Sequence, residues 1–268
     1  MPKGDDIYVK RDNVVVFNQL AVKIEMDHVS NENYFRWLDE ISQQIGSRVQ
    51  GARIVEKPSA REAPPLNVAI YYDTDDYAIL PTGALLRTSC NRVTHAFCAF
   101  KQSQTEDGVR RDHRYVFEGE EKRTIQEAPA SQEAIDIVRR LLSRRDIEHP
   151  GIFLERAYGI DAGDLTPAIQ LADYRYTFFA WLDGRDALRC SIDRATVEDL
   201  RRPESQRRRA PFSEVELAVY PRVQPEVAED PRCVAMITML SDSLCARFST
   251  SITTQIKYQR AARALAVG

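Results

Sequence analysis

Six stretches of this chain alternate apolar and ionised side chains with a period of two. That is the period of a β-strand, and it sends the two kinds of side chain to opposite faces. In the first stretch Lys23, Glu25 and Asp27 share one face while Val22, Ile24 and Met26 share the other. Arg87 and Ser89 oppose Leu86 and Thr88, and Lys101 opposes Phe100 and Cys98. Arg175 alternates with Tyr174 and Tyr176; Arg189, Ser191 and Asp193 alternate with Leu188, Cys190 and Ile192; Glu214 and Glu216 alternate with Val215 and Leu217. A chain patterned in this way is expected to form an antiparallel sheet with one face packed on helices.

An ordinary wet face carries Thr, Gln and Asn, and charges that only confer solubility have no reason to sort by strand. Here the cations Lys23, Arg87, Lys101, Arg175 and Arg189 each come from a different strand, and the paired Glu214 and Glu216 close the series. If that face turned inward, cations ~8 Å apart would repel by roughly 2 kcal/mol per pair at an effective dielectric near 20. Such a face suits a bound polyanion, and its glutamates are hard oxygen ligands for Mg²⁺ or Mn²⁺.

The strands expected from the pattern are 14–27, 67–73, 84–91, 96–101, 171–182, 187–194 and 212–220. A helix is expected from Ser30 as N-cap, with Tyr34, Trp37, Leu38, Ile41 and Ile45 on one side and Gly46 as its stop. A second begins near Ser131 and ends before His149, and two more cover about 233–246 and 254–265. The charged stretch 102–124 reads as a mobile hairpin or loop with a possible short rung at Tyr115–Phe117, inside a charged insertion of about 102–170.

Composition excludes more than it identifies. The 268 residues are 43% hydrophobic and 29% charged with a net charge of -3, ordinary for a globular chain and not a polyanion-binding surface as a whole. Cys90, Cys98, Cys190, Cys233 and Cys245 are odd in number and contain no C-x-x-C pair, so they read as reduced core thiols. His28, His95, His113 and His149 lack metal-ligand spacing. No segment suggests a leader or a membrane span, so the expected location is the cytoplasm, without membrane contact. The run Arg201 to Arg209 holds five arginines. It is the one place where nucleic acid or an acidic partner would be sought, although no interleaved aromatic residues supply a stacking surface.

Taken in order, these segments resemble the triphosphate-tunnel superfamily, which includes CYTH domains and the polyphosphate-polymerase domain of vacuolar transporter chaperone (VTC) proteins. Tyr71-Tyr72-Asp73-Thr74-Asp75-Asp76 followed by Gly83-Ala84-Leu85-Leu86-Arg87 is similar to the family's aromatic-Asp-Thr turn and Leu-Arg strand. Leu188 to Arg194 resembles the VTC-type L-R-x-x-x-D-R strand, Glu214-Val215-Glu216 the late E-x-E strand, and Lys257-Tyr258 the serine-lysine-tyrosine motif before a C-terminal helix.

The resemblance implies an α+β fold: one domain over 1–268 with an eight-stranded antiparallel tunnel, a closed barrel, flanked by helices. It implies that Lys23, Arg87, Lys101, Arg175, Arg189 and Lys257 hold phosphates. Glu25, Glu214, Glu216 and Asp193 would hold Mg²⁺ or Mn²⁺, with Glu25 and Glu216 catalytic, and Asp73 and Thr74 would serve as turn and cap. The implied ligand is a triphosphate, polyphosphate or nucleoside triphosphate, and the implied chemistry is phosphoryl transfer or hydrolysis. Two departures stand out: Asp27 occupies the place of the family's closing lysine, and Ser89 that of the second arginine of L-R-x-R. Hydrolysis, polymerisation, binding without turnover and an interaction scaffold all remain open.

Overall fold

The computed structural model describes residues 9–11, 14–17, 21–57, 60–103, 111–219, 227 and 229–268. Its first half runs β1 (Val9–Arg11), β2 (Val14–Phe17), β3 (Ala21–Glu25), α1 (Asn31–Arg48), β4 (Ala52–Glu56), β5 (Leu66–Asp73), β6 (Leu85–Asn91), β7 (Ala96–Lys101) and β8 (Asp112–Val116). Three helices follow, α2 (Gly119–Glu127), α3 (Gln132–Leu142) and α4 (Pro150–Tyr158). The long strands β9 (Thr166–Leu182), β10 (Arg185–Asp199) and β11 (Arg209–Val219) lead to α5 (Pro231–Phe248), β12 (Ile252–Thr253) and α6 (Lys257–Leu265).

All described strands join one antiparallel sheet of twelve, in the order β1-β2-β8-β7-β6-β5-β9-β10-β11-β3-β12, with β4 paired to the end of β9. Among the described residues, hydrogen bonds do not link the two ends of this path into a ring. The ends are nevertheless tied covalently, because Phe17 of β2 and Ala21 of β3 are four residues apart, a reach of about 14 Å. The path from β2 to β3 crosses eight interstrand steps, which would span roughly 38 Å if flat. The sheet therefore curls.

Two helical layers cover its outer face. Ile24, Phe178, Leu188, Ile192, Val215 and Leu217 pack on α1 and α5, while Ile70, Leu86, Cys98 and Phe100 pack on the layer of α2, α3 and α4. The helix expected from Ser30 begins there, with the Ser30 hydroxyl accepting from the Asn33 N–H at 3.2 Å. It does not stop at Gly46: a Cβ there would lie 3.2 Å from the Ala52 carbonyl, so the glycine permits close passage of β4, and the chain turns at Gly51, φ +79°. The stretch expected as a loop after residue 102 contains β8 and α2, and the charged insertion contains α3 and α4. The four buried cysteines and the half-buried Cys245 are free thiols.

The turn after β5 is organised by one buried carboxylate. Asp73 accepts from the backbone N–H groups of Thr74 (2.9 Å), Ile79 (2.8 Å) and Leu80 (3.1 Å) and from the Tyr258 hydroxyl of α6 (2.8 Å). Replacing Asp73 with Ala leaves these donors without their acceptor and should destabilise the protein by about 2–4 kcal/mol, read from urea denaturation. A change under about 0.5 kcal/mol would mean that water replaces the carboxylate without loss.

Candidate functional site

Facing residues of paired antiparallel strands point to the same side, so the register traces one face across the sheet. Lys23 faces Glu216, which faces Ser191, which faces Thr177; in the adjacent row Glu25, Glu214, Asp193 and Arg175 face one another in turn. Beyond β9, Asn67 faces Asp173, and Tyr71 faces Arg87, followed by Ala99 and Arg114. Lys101 faces Asp112, and Arg189 sits two residues before Ser191 on the same side. Every strand residue anticipated for phosphate or metal thus lies on the inner face, opposite the one covered by α1 to α5.

Asp193, fully buried, is the hub. Arg175 donates to it through Nε and Nη2, both at 2.8 Å, and the Lys257 ammonium bonds its Oδ2. Lys257 also lies 3.6 Å from Oε1 of the fully buried Glu214, whose other oxygen accepts from Arg260 at 3.1 Å. Oε1 of Glu214 has no hydrogen-bond partner. Arg260 reaches on to both oxygens of Asp27 (3.2 and 3.3 Å) and to the Ser213 carbonyl (3.0 Å). Asp27 therefore has a structural use: it anchors a guanidinium arriving from α6.

Ligand oxygens of Asp193, Glu214 and Glu216 all lie within 4.8 Å of one another. Glu25 stands apart from that group, paired with Arg263 at 2.8 Å and within 3.6 Å of Arg260. Lys101 and Arg114 hold the buried Asp112 at 3.2 and 2.8 Å. Arg87, 6.0 Å over the Tyr71 ring, has a buried Nε without a partner.

Charge effects show which of these groups sense one another. Burial acts to raise the Glu216 pKa, yet Lys23, Arg175, Lys257 and Lys101 together bring it down to about 2. Lys101 belongs to β7, five strands from β11 along the sheet, roughly 24 Å if flat, so its effect on Glu216 reports the same curl. Asp112 is likewise raised by burial but brought to about 2 by Arg114, Lys101 and Arg87. Burial, then the cations Arg114, Arg87, Arg175 and Arg189, push His95 down to about 4, which marks that part of the inner face as strongly positive. Asp173 moves the other way, raised by burial and by Asp193 against the pull of Lys257, Arg175 and Arg87.

Sequence patterning passed over Arg114, Asp112, Asp173, Arg260 and His95. Asp112 and Arg114 do alternate with His113 and Tyr115, but the signal is short and mixed in sign. Arg260 stands one helical turn from Lys257, which a reading of strand faces does not register. The arginine run is consumed internally: Arg201 bonds the carbonyls of Asp73, Thr74 and Asp75, Arg202 pairs with Asp199, Arg207 and Arg209 pair with Glu198, and Arg208 bonds the carbonyls of Leu265 and Ala266.

A curled antiparallel sheet with two helical layers on its outer face defines the fold class, and the overall fold recurs in a solved structure. A candidate adenylate cyclase from Bacillus halodurans superposes with a TM-score of 0.51 at 14% identity, over 90% of this chain and 96% of that one. Looser likenesses are a candidate adenylyl cyclase from Hippeastrum, described as having a dominant triphosphatase activity (TM-score 0.49, 11% identity, 91% and 95% covered), and a Pyrococcus horikoshii protein (TM-score 0.48, 10% identity, 91% and 98% covered). The likeness is one of fold alone. No family model and no curated protein matches the sequence.

The carboxylate shifts fix a pH dependence. Asp112 and Glu216 have ordinary values of 3.8 and 4.5 and folded values of about 2, so the folded state binds protons later than the unfolded chain. Their contribution to stability is complete above the ordinary values and is lost as pH falls toward 2. Thermal melts should drop through that window, and Asp112→Asn should flatten the drop; an unchanged slope would show that Asp112 is not held ionised by Lys101 and Arg114.

Proposed function

We propose that the curled sheet acts as one unit that closes into a tunnel, binds the phosphates of a triphosphate or polyphosphate on its inner face, and supports phosphoryl transfer or hydrolysis there. The observation that carries this reading is the convergence of Lys23, Arg87, Lys101, Arg175 and Arg189, each from a different strand, on the face that α6 supplies with Lys257. Asp112, Asp193 and Glu216 balance several of these cations, and the positive charge left in excess beside His95, from Arg87, Arg114, Arg175 and Arg189, is where a bound anion would be stabilised. The depressed pKa of His95 supports the same view, since burial and four guanidiniums disfavour a further proton there.

The acidic group is chemically suited to a divalent ion: three carboxylates, with Oε1 of Glu214 buried and without a hydrogen bond, 3.6 Å from the Lys257 ammonium. Glu216 and Glu214 would hold Mg²⁺ or Mn²⁺, with Asp193 adjoining, and the ion would neutralise charge on the phosphate oxygens. The chain's own residues do the rest. Arg87 and Arg189 orient phosphates, and Lys257, held by Asp193, sets a positive charge beside the carboxylates. Positioning and charge neutralisation account for most of phosphoryl-transfer catalysis.

A second reading, binding without turnover, is favoured by a specific observation: Asp193 and Glu214 already carry Arg175, Lys257 and Arg260. A phosphate-release assay with tripolyphosphate and ATP, in Mg²⁺ or Mn²⁺, separates the two. Turnover that falls at least tenfold in Glu216→Gln supports an enzyme; a raised melting midpoint without release supports a binding module.

Arg87→Ala should weaken tripolyphosphate binding by about 1–3 kcal/mol in calorimetry, the size of a charge-assisted hydrogen bond. Unchanged affinity would remove Arg87 from the site. Arg175→Ala differs, because it leaves Asp193 buried with one cation fewer, and the empty protein should lose about 3–5 kcal/mol of stability. A neutral result would mean that Lys257 alone satisfies that carboxylate.

A further inference from the structure

α6 has a second side, turned away from the charges it meets through Lys257. Each helical residue is rotated by about 100° from the one before, which sets Gln259 nearly opposite Lys257. On that side Gln255, Gln259 and Ala262, together with Asp76, Tyr77 and Leu80 from the turn after β5, line a cavity of about 390 Å³. Small-molecule sites occupy roughly 300–1,000 Å³, so the cavity has the size of one.

Two acceptors in this lining lack a matching donor. Oε1 of Gln255 is buried and has no hydrogen-bond partner. The exposed Asp76 carboxylate accepts from the Thr74 hydroxyl at 2.6 Å and, among the described residues, makes no ion pair. The remaining polar groups are engaged: Gln259 accepts from the Ile256 N–H at 3.3 Å and donates to the Leu80 carbonyl at 3.4 Å, while Arg263, also at the cavity, pairs with Glu25 at 2.8 Å.

The rest of the lining is apolar, and its aromatic ring is held in place. Tyr77 has φ +61°, a left-handed conformation that few residues other than glycine adopt and that recurs at ligand sites. Its N–H bonds the Thr74 carbonyl at 3.0 Å, and the Arg201 guanidinium lies 3.9 Å over its ring. A ligand therefore meets a wall that the fold has already set, which lowers the ordering cost of binding.

We propose that this cavity is a second ligand site, for a small organic cation: an ammonium or amidinium donor on a flat apolar body. The donor satisfies Gln255 Oε1 and the Asp76 carboxylate, and the body covers Leu80, Ala262 and the Tyr77 ring. The chemistry is the reverse of that on the inner face, and the site does not depend on phosphate being bound there.

Three indole compounds that share one body separate the outcomes: tryptamine, a cation; indole-3-acetamide, neutral; and indole-3-acetate, an anion. Benzamidine serves as a second flat cation. Calorimetric titration of the full chain should give tryptamine a dissociation constant of about 1 mM or tighter, indole-3-acetate at least about tenfold weaker binding, and the amide a value between them. Asp76→Asn and Gln255→Leu should each weaken tryptamine about fivefold or more while the melting midpoint of the empty protein holds at or above the wild-type value. Unchanged tryptamine affinity in both variants would put the amine elsewhere on the protein and overturn the proposal. Indole-3-acetate binding as tightly as tryptamine would overturn the ligand class, and no saturable binding of either cation up to ~10 mM would overturn the site itself.

Discussion

The inner face is held together by the ionised Asp193 carboxylate at its centre. A buried anion is tolerated only if cations and hydrogen-bond donors surround it. Arg175 reaches it from the neighbouring strand and Lys257 from the C-terminal helix, so one group fastens β9, β10 and α6 together. Its pKa is held well below the usual carboxylate range: burial opposes ionisation, and Arg175 and Lys257 outweigh it. Glu214 repeats the device one strand over, sharing Lys257 and adding Arg260.

These pairs change the meaning of a cation-lined face. Left alone, its lysines and arginines would repel one another, and an empty protein would bear that repulsion. Instead each cluster carries its own acids: Asp112 between Lys101 and Arg114, Asp193 between Arg175 and Lys257, Glu216 among Lys23, Arg175 and Lys257. The face is a nearly balanced polar network, positive where His95 meets Arg87, Arg114, Arg175 and Arg189. A ligand there competes with internal carboxylates as well as with water, which favours highly charged anions over weak ones.

Much of the fold was legible because strand parity is local. The segments 96–101 and 67–73 were bounded to within one residue, since each is a short, mainly apolar run that ends in a charged residue, Lys101 and Asp73. Asp73 and Thr74 read as turn and cap, and the structure gives Asp73 that use. β8 and α2 were less legible: Asp112 to Val116 alternates acid, histidine, arginine and tyrosine, a pattern that reads as a charged loop until the register with β7 pairs Asp112 with Lys101. The anticipated count of eight tunnel strands gives way to a twelve-stranded sheet, because the short β1, β2, β4 and β12 extend the ladder.

What the sequence by itself determined is which side chains share a face: the period of two places Lys23, Glu25, Arg87, Lys101, Arg175, Arg189, Asp193, Glu214 and Glu216 opposite the apolar core, whatever the strand order. Tertiary structure alone decided how those charges are partnered. Strand order sets Glu216 beside Lys23 and Asp193 beside Arg175, and the curl of the sheet brings Lys101 to bear on Glu216. The docking of α6, hundreds of residues from Lys23 and Asp27 in the chain, inserts Lys257 and Arg260 among the acids and covers the apolar part of the same face. Parity is a property of neighbouring bonds, whereas charge pairing depends on distance through space, and only the folded chain sets those distances.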